Sequence, residues 1–191
     1  PGMAFVFTST TSLMISQSIR DAQMPEAVWL NEKSHPLEPR NIYGVTKLAA
    51  EGLCRQHHLE RALNVIVLRT SRFFPEDDDT ITAFSGANLK TIELLHRRAT
   101  VEDMARAHLC ALKKCTEIGF ELFVVSAPTP FAPDECSALK SNAASVIRDK
   151  YPDVDALFSR EGWHLPDTIG RVYDGSKIER DLGFDYKTHF G

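Results

Sequence analysis

Three runs of apolar residues organise the chain: Ala4-Phe5-Val6-Phe7, Val65-Ile66-Val67-Leu68 and Phe120 to Val125. None alternates apolar with polar, as expected of parallel strands covered on both faces. They predict buried strands over 3–9, 64–69 and 120–125. Between the first two lies a helix over 41–58. Asn41 is its N-cap, and Val45, Leu48, Ala49 and Leu53 recur at helical spacing. A second face, Ala50, Leu53, Cys54 and His57, is apolar enough to pack on another helix. Thr100 with Asp103 three residues on reads as the start of a helix to about residue 114. Val101, Met104, Ala105, His108, Ala111 and Leu112 form its stripe. His108 on that stripe reads as a hydrogen-bonded core histidine. Further helices are predicted over 89–95, 134–150 and 176–182. Residues 15–40, with Pro25, Pro36 and Pro39, read as a long irregular connection, with Trp29 and Leu30 packing on the helix over 41–58.

Strand, helix, strand is a parallel crossover, and ligands bind at the carboxyl ends of such strands. The fold class is therefore α/β with a parallel sheet.

Composition narrows the function. A net charge of −4 over 191 residues, with scattered basic side chains, gives no nucleic-acid surface. No apolar run approaches the ~20 residues of a membrane span, and no signal peptide is visible. Cys54, Cys110, Cys115 and Cys136 form no C-x-x-C, which favours free thiols and a cytoplasmic protein. Cys54, His57 and His58 lack a fourth metal ligand, and the run 76–79 lacks the spacing of a calcium loop, so no metal is expected.

Chemistry concentrates on Tyr43 and Lys47. Four apart on one helix, they share a face. An ammonium beside a phenol favours the phenolate and suits the pair to proton transfer. Tyr173 and Lys177 repeat the spacing, but no strand precedes them and Gly175 intervenes, so they read as structural. Upstream, the first strand ends in hydroxyls, Thr8 to Ser12.

Together these segments resemble an extended short-chain dehydrogenase/reductase of the NAD-dependent epimerase/dehydratase family. The matching pieces are Phe5 to Thr10, Tyr43-Gly44-Val45-Thr46-Lys47, Val65 to Pro75, Arg97 to Ala105 and Tyr173 to Phe184. The resemblance implies that Thr10, Tyr43 and Lys47 are catalytic and also meet the cofactor. Thr70 and Ser71 would meet the nicotinamide, with NAD or NADP as cofactor. It implies a small-molecule substrate, sugar-like or a small carbonyl compound, reacting at a hydroxyl or carbonyl carbon. A homodimer through the Tyr43–Lys47 helix is also implied. For the fold, the resemblance implies a partial Rossmann-like, doubly wound parallel sheet, later strands only, with a small α+β substrate-side segment. The implied division is 1–75, the C-terminal half of the dinucleotide-binding domain with the Tyr-x-x-x-Lys helix, and 76–191, the substrate side, with 101–126 returning to the sheet. Arg72 reads equally as a contact to an anion or as a surface residue. Three departures matter. None of the ten glycines forms G-x-G-x-x-G, so the glycine-rich half is expected to lie upstream. Thr11 and Ser12 stand where 4,6-dehydratases carry Asp-Glu, which disfavours water elimination. The interval from Arg69 to Arg97, where nucleotide-sugar enzymes of the family build the nucleotide pocket, is short, which argues for a smaller substrate or for a pocket supplied elsewhere. The alternative is a non-catalytic, cofactor-binding or scaffold member of the same fold.

Overall fold

The computed structural model describes residues 3–74 and 83–190; the acidic run 76–79 lies outside them. In chain order the elements begin β1 (Ala4–Thr10), α1 (Gln17–Arg20), β2 (Val28–Leu30), α2 (Ile42–Arg61) and β3 (Asn64–Thr70). They continue with α3 (Gly86–Leu94), α4 (Val101–Ile118), β4 (Phe120–Val125), α5 (Cys136–Lys150), α6 (Val154–Glu161), β5 (Arg171–Tyr173) and α7 (Ser176–Leu182).

The three apolar runs form one parallel sheet, in the order β1-β3-β4. Alternation along β3 shows why its run is continuous. Val65 and Val67 pack with Cys54 of α2 on one face. Ile66 and Leu68 pack with Met104, Ala107, Ala111 and Cys115 of α4 on the other. This is the partial Rossmann-like architecture. Helix starts follow their caps: Asn41 accepts from the Gly44 amide at 2.8 Å, and Thr100 from that of Asp103 at 3.3 Å.

The two long helices are turned differently from their apolar spacing. In α2, Val45 and Leu53 are exposed, while Gly44, Glu51 and Cys54 are buried. In α4, Val101 and Leu112 are exposed, and the inward stripe is Met104, Ala107, Ala111 and Cys115. Periodicity detects the helix; polar inward partners decide which face is inward.

The connection over 15–40 is more regular than expected. It contains β2, which pairs in parallel with β5 some 140 residues later, Val28 opposite Arg171 and Leu30 opposite Tyr173. Trp29 and Leu30 therefore do not pack on α2. They join clusters built from Ile92, Leu139 and Val172, and from Leu13, Val124 and Tyr173, neither of which holds an α2 residue.

Among the described residues, the outer edge of β4 is met by side chains and by no strand. The Leu122 carbonyl accepts from Lys177 Nζ at 2.9 Å. The Val124 amide donates to Glu32 Oε1 at 2.7 Å, and the Ser126 amide to the Tyr186 hydroxyl at 3.1 Å. These groups alternate along the strand and all face away from β3.

Candidate active site

At the carboxyl ends of β1 and β3 a cleft of about 560 Å³ opens. Thr10, Tyr43, Lys47, Thr70 and Ser71, the five residues singled out from the sequence, all line it. Parallel strands in register bring this about: Thr10 lies opposite Thr70. The first turn of α2 supplies Tyr43 and its second Lys47.

Each of these groups is held differently. Lys47 Nζ donates to the Thr8 carbonyl at 2.8 Å and sits 5.0 Å from the Phe7 ring centre and 5.9 Å from that of Tyr43. One of its three N–H donors is thereby used. Tyr43 is half exposed at the mouth. Thr10 Oγ1 accepts from the Ser12 amide at 3.1 Å, which leaves its hydroxyl hydrogen to donate into the cleft. Thr70 Oγ1 donates to the Ser9 carbonyl at 2.9 Å. The Ser71 hydroxyl is buried without a hydrogen-bond partner.

Beneath the cleft is a buried ion pair. Arg69 Nη2 lies 2.7 Å from Glu51 Oε2, and the Ser9 hydroxyl donates to Glu51 Oε1 at 2.5 Å. The cleft is also lined by four arginines, Arg20, Arg72, Arg97 and Arg171, and by Tyr173. Glu93, fully buried, holds Arg97 at 2.8 Å and Arg98 at 2.8 Å, with Arg72 at 3.8 Å. Burial, and after it the Arg171 charge, push the Arg97 guanidinium below its usual range. His96 is held well below the ordinary imidazole value by burial first, then by Arg97 and Arg171. It is neutral, and its Nδ1–H donates to the Arg171 carbonyl at 2.9 Å.

The second Tyr-x-x-x-Lys pair is split. Tyr173 ends β5 and faces the cleft, whereas Lys177 in α7 bonds to β4. His108 is half-buried; it bridges the Thr8 hydroxyl at 2.8 Å and the Met104 carbonyl at 2.7 Å. Among the described residues no group of three metal-ligating side chains occurs, and no helix is long and apolar enough to cross a membrane. Arg20, Arg171 and Tyr173 were not recognised as cleft residues from sequence. Arg20 and Arg171 carry no local motif, and Tyr173 reads as structural from its sequence context; β5, which carries Arg171 and Tyr173, is held by its pairing with β2.

Comparison with known proteins places this geometry in context. No curated protein sequence matches the chain. Solved structures do. The UDP-Glc/GlcNAc 4-epimerase from Campylobacter jejuni has a TM-score of 0.60 at 20% identity, over 96% of this chain and 59% of that one. The UDP-glucuronic acid 4-epimerase from Bacillus cereus, in complex with NAD, has a TM-score of 0.57 at 17% identity, over 98% and 57%. RMD from Pseudomonas aeruginosa, complexed with NADPH, has a TM-score of 0.56 at 18% identity, over 97% and 62%. The chain thus spans less than two thirds of the length of each of these structures. At such identities the likeness is one of fold. The NAD dependent epimerase/dehydratase family as such matches residues 2–125, well over half of the chain. With a parallel sheet, a Tyr-x-x-x-Lys helix at its carboxyl edge and this match, the chain belongs to the NAD-dependent epimerase/dehydratase family.

Proposed function

We propose that this chain carries the proton-transfer side of an NAD(P)-dependent oxidoreductase or epimerase acting on a hydroxyl or carbonyl carbon of a small, sugar-like substrate. The observation that carries the reading is the convergence of Tyr43, Lys47 and Thr10 on one cleft. Tyr43 takes or returns the hydroxyl proton. Lys47 places positive charge beside the phenol, and Thr10 donates a hydrogen bond to the reacting oxygen.

The residues fit the nicotinamide end of the cofactor. The unpartnered Ser71 hydroxyl and the neighbouring Thr70 offer a carboxamide its hydrogen bonds. Lys47 has two donors left for ribose hydroxyls. Bound there, the nicotinamide supplies or accepts the hydride. The four arginines lining the cleft suit a substrate bearing negative charge, as the nucleotide-linked sugars named for the neighbouring structures do. Exposed Ile42, Val45, Leu53 and Leu59 on α2 suit self-association through that helix. Four free thiols suit a reducing cytoplasm.

The test is turnover by the whole protein with NAD or NADP and UDP-sugars, followed at the nicotinamide absorbance and by product epimer. Tyr43→Phe is expected to lower turnover by about 10²–10⁴-fold with an unchanged melting temperature. Undiminished function in that variant would favour the non-catalytic alternative.

A further inference from the structure

We propose that Glu51 is the positioning residue of this site: clamped by Arg69 and Ser9, it sets the rotation of α2 that turns Tyr43 and Lys47 into the cleft. The inference rests on the proton-transfer reading of those two residues.

Three observations carry it. The first is the composition of the inward stripe of α2. Gly44 and Glu51 are buried and Lys47 is half-buried, while Ile42, Val45 and Leu53 are exposed. Of the three buried residues of α2, Cys54 is the one with an apolar side chain, and it packs with Val65 and Val67; Leu48 and Ala50 are half-buried. Apolar packing is non-directional and tolerates a turn about the helix axis; ionic hydrogen bonds do not.

The second is the cost of the pair. Glu51, Arg69 and Ser9 are all withdrawn from water, and Arg69 Nη1 is buried without a partner. Burying two charges costs solvation that their attraction rarely more than repays, so a buried pair is weak evidence of stability. Its better-attested use is to fix register.

The third is where the three partners sit. Glu51 lies one helical turn beyond Lys47 and two beyond Tyr43, on the same face. Ser9 lies between Thr8, whose carbonyl accepts from Lys47, and Thr10. Arg69 precedes Thr70, whose hydroxyl donates to the Ser9 carbonyl. One network therefore ties together the three elements that must converge, and each attachment point is at or next to a cleft residue.

The test labels the whole protein with [ζ-13C]tyrosine and [ζ-15N]lysine, with signals assigned by Tyr43→Phe and Lys47→Arg and recorded well below the melting transition. Glu51→Leu/Arg69→Met replaces the pair by apolar side chains of similar size. Positioning predicts a folded variant in which the hydrogen-bonded Lys47 ammonium signal is lost to exchange and the Tyr43 signal is shifted. A merely structural pair predicts a changed melting temperature with both signals in place, and that result overturns the proposal. If the double variant does not fold, Ser9→Ala decides: it removes only the hydroxyl bond to Glu51. Displaced Tyr43 and Lys47 signals then support the proposal, and unmoved signals overturn it. Neither readout needs a substrate. A parent protein without turnover would refute the functional reading and leave the positioning test intact.

Discussion

Lys47 Nζ donates to the Thr8 carbonyl at 2.8 Å, so the ammonium proposed to serve Tyr43 is anchored to the strand that carries Thr10. That bond is solvent-exposed, and a single exposed hydrogen bond contributes about 1 kcal/mol or less to stability. Lys47→Met is therefore expected to melt within a few degrees of the parent while losing turnover at least as severely as Tyr43→Phe. Parallel melting curves and steady-state rates check this. A variant that unfolds would instead make Lys47 a structural anchor.

Glu93 presents the opposite case. Its side chain is fully buried and holds Arg97 and Arg98 directly. Removing one partner of a buried pair leaves an uncompensated charge, at a cost of about 3–5 kcal/mol. Glu93→Gln is expected to lower the melting temperature by roughly 6–20 °C for a chain of this size. Inorganic pyrophosphate should recover part of that loss if the cleft arginines bind anions; a drop insensitive to pyrophosphate would count against the anionic substrate.

Glu32 gives a prediction in pH. Burial raises its carboxyl above the ordinary 4.5, outweighing the Val124 amide bond and the Lys177 charge, which lower it. The folded state thus holds the proton more tightly than the unfolded chain. The stability contributed by the protonated form is complete below 4.5 and is lost as pH rises through the higher folded value. Glu32→Gln keeps an acceptor for the Val124 amide and removes the titration. Its melting temperature is expected to equal or exceed that of the parent at neutral pH, with a shallower decline from pH 4.5 upward. Melting curves across pH check it; identical slopes would place the proton elsewhere.

Two glycines in α2 predict opposite signs. A Cβ on Gly44 would lie 2.7 Å from Pro39 Cβ, on a stiff ring, whereas one on Gly52 would meet nothing within 4 Å. Alanine gains about 1 kcal/mol over glycine inside a helix. At position 52 that gain stands alone, so Gly52→Ala should raise the melting temperature by roughly 2–4 °C. At position 44 a crowding cost of about 1–3 kcal/mol opposes it. The turn bearing Tyr43 must also shift, so Gly44→Ala is expected to lower turnover even where stability is nearly unchanged.

The sheet and the cleft residues were legible from sequence because their signals are local. Predominantly apolar runs mark β1, β3 and β4, Asn41 marks the start of α2, and Tyr43 and Lys47 lie one turn apart. The face of each helix was not legible. Glu51 turns inward because Ser9 and Arg69 await it, and Asp103 because the Lys187 and Thr188 amides do. No window of sequence contains both partners of such a bond. The pairing of β2 with β5 was hidden for the same reason: two three-residue strands about 140 residues apart leave no periodicity to detect. Arg171 lies in β5 and Arg20 in α1, just before β2, so both came to light as cleft residues only in the structure.

The sealed flank of β4 has a consequence for assembly. Lys177, Glu32 and Tyr186 reach it from three separate stretches of chain. No other polypeptide can zip onto that side by main-chain bonding until those stretches lift away. Docking of these three stretches therefore doubles as a guard against aggregation, and loosening them would first be seen as clumping.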